Sequence, residues 1–297
     1  METGVGFSLS FDYGTASVAY PNSTVVSVIR VDGDEGYRIM MRNQTWTRPQ
    51  DEGMYYTPNI WEPPSFATQV TRLGMRQSCV HPPNNALHDM LEQLKTAVVT
   101  HTGADMDTAH IVFPLNPSAS LTTALEHSTR ALNIRELSDM RWASITAALH
   151  LSDPHDGCDP QKVLLTVDYS RAGMIATLFS ECCGISAPQI TFFDFNTVIA
   201  GISITDTERI VTLLSTPIGQ PITDWDGDDL HGLDKIILMG EFGNMPELRE
   251  MLAQALDAGP SGGVLEHKLV HQDSPNDPLF VASAGAAMEC LRGRQLA

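Results

Sequence analysis

Long apolar runs are missing from this sequence: no stretch approaches the roughly 18 residues of a membrane-spanning helix, so no span is expected. The opening METGVGFSLSFDYG has neither a basic patch nor an apolar core of signal-peptide type, so no secretory leader is expected either. Cysteine is sparse, with 5 residues at Cys79, Cys158, Cys182, Cys183 and Cys290. Odd in number and scattered, they read as reduced thiols of a cytoplasmic protein, and the adjacent pair Cys182–Cys183 lacks zinc-ligand spacing. The sequons at Asn22 and Asn43 are accordingly expected to be unglycosylated. Positive charge is scarce as well. Lys+Arg 18 against Asp+Glu 36 gives a net charge of -18, which argues against a nucleic-acid or anionic-membrane partner.

What is present is a foldable chain of 297 residues, 42% hydrophobic and 18% charged, long enough for one large or two medium domains. GFSLSFDYGTASVAY reads as a strand, a turn carrying Asp12, and a second strand. Gly14 and Thr15 follow that aspartate with backbone amides that can face an anion. DGDEG, between VVSVIRV and YRIMMR, predicts a further hairpin. Residues 44–66, with Pro49, Pro58, Pro63 and Pro64, read as irregular. Helical spacing marks ALHDMLEQLKTAVVTHTG, with Leu87, Leu91, Leu94 and Val98 on one face and an end near Gly103. TAHIVFPL reads as a short buried strand, SASLTTALEHSTRALNI as a helix, and ASITAALHL as a helix of small residues that lets another backbone come close.

SDPHDGCDPQ (residues 152–161) breaks the pattern and divides the chain into lobes at 1–155 and 156–297. Its Asp153, His155, Asp156, Cys158 and Asp159 have metal-ligand chemistry, but a surface turn explains the composition. The second half opens as the first does: KVLLTVDYSRAGMIATLFS is a buried strand ending on Asp168-Tyr169, followed by an apolar segment. KIILMGEFGNMPELREMLAQAL predicts strand, glycine turn and a helix from Pro246, and DPLFVASAGAAMECLRGR a helix opening on small residues. Repetition of this order predicts an α/β fold duplicated into two lobes around a central cleft.

These stretches, taken in order, resemble the nucleotide-binding domain of the 70-kDa heat-shock chaperone family, within the actin-like ATPase superfamily. SFDYGTASVAY resembles the first phosphate loop, ASITAALHL the first connecting helix, VLLTVDYSRAGMIATL the second phosphate loop, KIILMGEFGNMPELREML the adenosine loop and PLFVASAGAAMEC the second connecting helix. The resemblance implies an actin-like ATPase fold with trimmed outer subdomains. It also implies that Asp12 stands where a magnesium-organising aspartate would, with Gly14 and Thr15 at phosphate oxygens.

The departures are specific. Asp168 is followed by Tyr169, Ser170, Arg171 and Ala172 where the family has a glycine run whose amides close on phosphate. Ile175 stands in place of a later aspartate, Ala143 beside Trp142 in place of a glutamate, and only Arg72 and Arg76 lie near the expected lysine. Gly240-Glu241 replaces paired glycines, so a carboxylate enters where purine and ribose would sit. The polar set for metal-assisted phosphoryl transfer is thus broken, and a competent ATPase is not expected. No peptide-binding domain follows the resembling region in this sequence.

The cleft is then expected to hold a small-molecule ligand, with no cofactor required and ATP with magnesium not favoured. Asp12, Asp168, Arg171 and Glu241 are the candidate catalytic residues, because carboxylates near an arginine in a partly apolar site can be driven apart in pKa. Tyr13, Gly14, Thr15, Trp142, His150, Tyr169, Ser170 and Gly240 are the candidate ligand-binding residues. His150 and His110 also have packing roles open to them, and Ser170 lies in no nucleophile elbow. DWDGDD (residues 224–229) lacks the closing glutamate of a calcium loop. Three readings stay open: a pseudo-ATPase binding module, a cofactor-independent cyclase or isomerase of small-molecule biosynthesis, and an atypical ATP-binding protein.

Overall fold

An antiparallel hairpin with an aspartate at or near its turn, Asp12 in one and Asp168 in the other, organises each half of the molecule. The computed structural model describes residues 3–44, 46, 83–136, 142–151, 161–182, 185–194, 204–220, 222–223, 229–230, 232–258, 265–270 and 277–296. Residues 47–82, the acidic loop 152–160, Cys183 and most of DWDGDD lie outside them. The chain is mixed α/β and divides into two compact units, one of Met1–Trp142 with Ala286–Ala297 and one of Ala143–Gly285.

In the first unit, β1 (Gly4–Leu9), β2 (Tyr13–Ala19), β3 (Val25–Asp32), β4 (Thr108–Val112) and β5 (Arg135–Glu136) form one sheet in the order β3-β2-β1-β4-β5. β1 runs antiparallel to β2 and parallel to β4, and β2 runs antiparallel to β3. The period-2 alternation of a strand sends Val5, Phe7 and Leu9, with Ala16 and Val18 opposite them, to one face. Against that face lies α2 (Pro83–Thr102), whose Leu87, Met90, Leu91, Leu94 and Val98 are all buried. Gly14 permits the contact, since a Cβ there would sit 2.8 Å from Met90 Sδ.

Gly4 does the same on the other face. Its Cβ would lie 2.1 Å from the Ala287 carbonyl of α8 (Val281–Leu296), so only a bare backbone lets that helix rest on the strand. α3 (Ala119–Ala131), capped by Ser118, completes the unit.

One expectation is corrected. YRIMMR is not the second strand of a hairpin; it belongs to helix α1 (Glu35–Arg42). Asp34 caps this helix by accepting from the Tyr37 amide at 2.6 Å, and Glu35 complements the positive helix start. Tyr37, Met40 and Met41, spaced at helical intervals, are its buried face.

In the second unit, β6 (Lys162–Ser170), β7 (Gly173–Cys182), β8 (Ile185–Asp194) and β11 (Lys235–Met239) form a sheet in the order β11-β6-β7-β8. β6 is antiparallel to β7 and parallel to β11. A short pair, β9 (Ile222–Thr223) and β10 (Asp229–Leu230), stands apart from it. Val163, Leu165, Val167, Tyr169, Met174, Ala176 and Leu178 form one buried face, packed on Ile210 and Leu214 of α5 (Ile204–Ile218) and on Leu248, Met251, Leu252 and Ala255 of α6 (Pro246–Ala258). Each such buried aliphatic side chain stabilises the fold by roughly 1.5–3 kcal/mol.

The start of α8 crosses α4 (Ala143–Leu151) in this unit, with α7 (Leu265–Lys268) between α6 and α8 in sequence. A Cβ on Gly285 would fall 2.0 Å from the Thr146 carbonyl, and Thr146 Oγ1 donates to the Ala282 carbonyl at 3.3 Å. The small residues of ASITAALHL therefore serve backbone-to-backbone packing, as their sizes suggest.

Candidate functional site

In the second unit the site is built at the carboxyl ends of two parallel strands, the place where open α/β sheets present ligands. Asp168 pairs with Ile175 across β7 and with Met239 at the end of β11, both apolar. Alternation turns its neighbours Val167 and Tyr169 into the α5–α6 core and leaves Asp168 on the other face. The chain leaves β11 through Gly240, whose φ of 85° is the left-handed conformation that glycine tolerates. A Cβ at Gly240 would sit 2.3 Å from Asp168 Oδ1 and 2.5 Å from the Tyr169 carbonyl. The turn is tied down by the Gly240 amide donating to the Pro278 carbonyl at 3.0 Å and the Phe242 amide donating to the Tyr169 carbonyl at 2.9 Å.

The Asp168 carboxyl is thus pressed against backbone. Its Oδ1 is enclosed and has no hydrogen-bond partner among the described residues, while the residue as a whole keeps part of its surface in solvent. Loss of solvent without a compensating cation pushes its carboxyl up to about 6. Arg171, on the β6–β7 turn, does not supply that cation to it: Arg171 Nη2 bonds Glu241 Oε1 at 2.5 Å. Glu241 is 11% exposed and Arg171 48%. Ser170 is buried at the end of β6, and Tyr169 packs edge-on against Phe242 at 5.7 Å in the core. His150 lies half-buried in the last turn of α4.

The first unit carries a parallel arrangement on its own hairpin. The Ser10 amide donates to the Tyr13 carbonyl at 2.8 Å, which closes a tight turn and places Asp12 at its tip. Asp12 is 4% exposed and is bound by Arg42, whose Nη2 donates to Asp12 Oδ1 at 2.5 Å. The helix α1 that delivers Arg42 is itself pinned to the turn, for the Tyr37 hydroxyl donates to the Ser10 carbonyl at 2.7 Å. Burial, with the Asp12 and Tyr13 charges second and third, raises the Tyr37 phenol well above its ordinary value.

Asp12 Oδ2, Ser10 Oγ and Thr15 Oγ1 are buried with no hydrogen-bond partner among the described residues. Such atoms cost roughly 1–3 kcal/mol each and are where a water or ligand is most stabilising. Gly14 faces α2 and Tyr13 lies under the Arg30 guanidinium, 4.8 Å from its ring centre. Trp142 bridges Phe113, next to Trp46, which stacks edge-on with Phe11 at 5.3 Å.

The structure therefore brings Asp168 to Gly240 and Arg171 to Glu241, and gathers Asp12, Tyr13, Gly14 and Thr15 on one hairpin. Arg42, Tyr37 and Trp46 are additions that the sequence reading missed. The signal for Arg42 was available in the Asp34 cap and the spacing of Tyr37, Met40 and Met41, which together define its helix. Among the described residues no group of three or more His, Cys, Asp or Glu could hold a metal, and no helix is long and apolar enough to cross a membrane. Compared with protein-family models and with curated proteins, the chain matches none.

Proposed function

We propose that this chain is an α/β scaffold of the actin-like ATPase type, akin to the nucleotide-binding domain of the 70-kDa heat-shock chaperones, whose nucleotide site has been rebuilt for a non-nucleotide small ligand. Support for the duplicated fold comes from the pairing order. β2-β1-β4 and β7-β6-β11 each join an antiparallel hairpin to a parallel strand, and each hairpin carries one of the two aspartates.

The observation that carries the functional reading is the use of both arginines. Arg171 is held by Glu241 and Arg42 by Asp12, each at 2.5 Å. A second loop that serves a polyphosphate offers bare amides and an uncommitted cation; here side chains stand there and the cation is already neutralised.

A thermal-shift titration with ATP and ADP, with and without magnesium, tests this. A ligand at a hundred times its dissociation constant adds about 2.7 kcal/mol to the folded state. The expected result is no shift at millimolar nucleotide. A magnesium-dependent shift would restore the atypical ATP-binding reading. The enzyme reading, a cofactor-independent cyclase or isomerase, is favoured by one observation, the raised Asp168 carboxyl.

A further inference from the structure

A side chain that gives a proton to a ligand must be dry enough to hold the proton and exposed enough to be reached, and among the described residues the Asp168 carboxyl meets both conditions without being held in an ion pair. Asp168 Oδ1 is enclosed without a donor among the described residues, yet the residue retains surface. The described groups around it leave it without a counter-ion. Its strand neighbours are Ile175 and Met239, and Gly240 presents only backbone to its Oδ1. Arg171 and Glu241 are committed to each other, and Asp277, on the segment that precedes α8, caps the Leu279 amide at 2.9 Å.

Resting on the non-nucleotide reading above, we propose that Asp168 is a proton-donating group for an uncharged, oxygen-bearing ligand such as a ketone or lactone. In the step the Asp168 O–H bond breaks, the proton joins the ligand oxygen, and the bonding electron pair stays on the carboxylate. The proton returns from the ligand or from water. An uncharged ligand is indicated because the Arg171 charge is balanced by Glu241, so the turn offers no surplus cation to an anion. Gly240 is a positioning residue here, holding its backbone against the carboxyl where any side chain would displace it. A donor whose proton affinity lies close to working pH serves in both directions of transfer, and the burial of Asp168 moves it that way.

The experiment uses the wild-type protein with a water-soluble carbodiimide and glycine ethyl ester, which couple to protonated carboxyls, read by peptide mass spectrometry. Labelling is followed from about pH 4.5 to about pH 7.5, because ordinary aspartates lose their protons near pH 4. The labelling rate of Asp168 should fall to half its acid limit near pH 6 and, just above that, should exceed the rate at equally accessible ordinary carboxylates on the order of 50-fold. Cyclohexanone and δ-valerolactone should slow the labelling, whereas the anions sulfate and methanesulfonate, which do not consume the reagent, should not.

Labelling of Asp168 in step with exposed carboxylates, its absence at every pH, or protection by the anions alone would each overturn the proposal. Failure of the non-nucleotide reading shows separately, as a magnesium-ATP thermal shift with the labelling profile unchanged.

Discussion

A carboxyl that gives up solvent without gaining a cation holds its proton more tightly in the folded chain than in the unfolded one. For Asp168 the folded value rises from 3.8 to about 6, so between those two the native state binds more protons. Stability therefore falls as pH rises through that window and is flat above it. Asp168→Asn, which cannot ionise, should be more stable than wild type above pH 6, by about 1–2 kcal/mol once the residue's partial exposure is allowed for. The gain should vanish below pH 4 in urea denaturation curves taken at both pH values.

Gly240→Ala acts on the same contact with the opposite sign. A φ of 85° and a Cβ 2.3 Å from Asp168 Oδ1 should cost about 2–4 kcal/mol, measured in the same way. Arg42→Ala leaves the buried Asp12 without its partner. It should destabilise by about 1–3 kcal/mol, less than a fully buried pair because the arginine is partly exposed.

Elements were legible wherever one periodicity dominated. The face of Leu87, Leu91, Leu94 and Val98 could only be a helix, and the hairpins around Asp12 and Asp168 announced themselves by apolar runs on either side of a small-residue turn. α1 was not legible by apolar count, since YRIMMR suits a half-buried strand as well; its cap decided it. Asp34→Ala should accordingly weaken α1 by about 1 kcal/mol. Tyr37→Phe, which removes the bond to the Ser10 carbonyl, should cost about 1 kcal/mol more. Chemical denaturation of the single and double variants would show whether the cap and the hydroxyl act through one helix, in which case the two effects fall short of additive.

The same distinction governs the candidate site: its aspartates sit on legible hairpins. The ion pairs beside them were not legible, because the approach of Arg42 to Asp12 and of Arg171 to Glu241 is a tertiary fact, even where a cap marks the helix that carries the arginine.

At the scale of the whole molecule, a net charge of -18 sets self-repulsion against compactness. Raising sodium chloride from about 10 mM to about 150 mM, which shortens the screening length from roughly 30 to 8 Å, should raise the melting temperature; a fall would mean that the ion pairs of Arg42 and Arg171 outweigh the repulsion.

α8 carries a different consequence, for the order of events in folding. It is one continuous helix whose Val281–Gly285 residues belong to the second unit and whose remainder belongs to the first. The second unit is a single contiguous segment and is complete in sequence once Gly285 has been synthesised. The first unit, although its strands emerge earlier, lacks the helix that covers Gly4 until residues 286–296 appear. A nascent chain thus holds an unfinished sheet in waiting while a later-made unit assembles, and β1 is covered only after the whole of the second unit has been made.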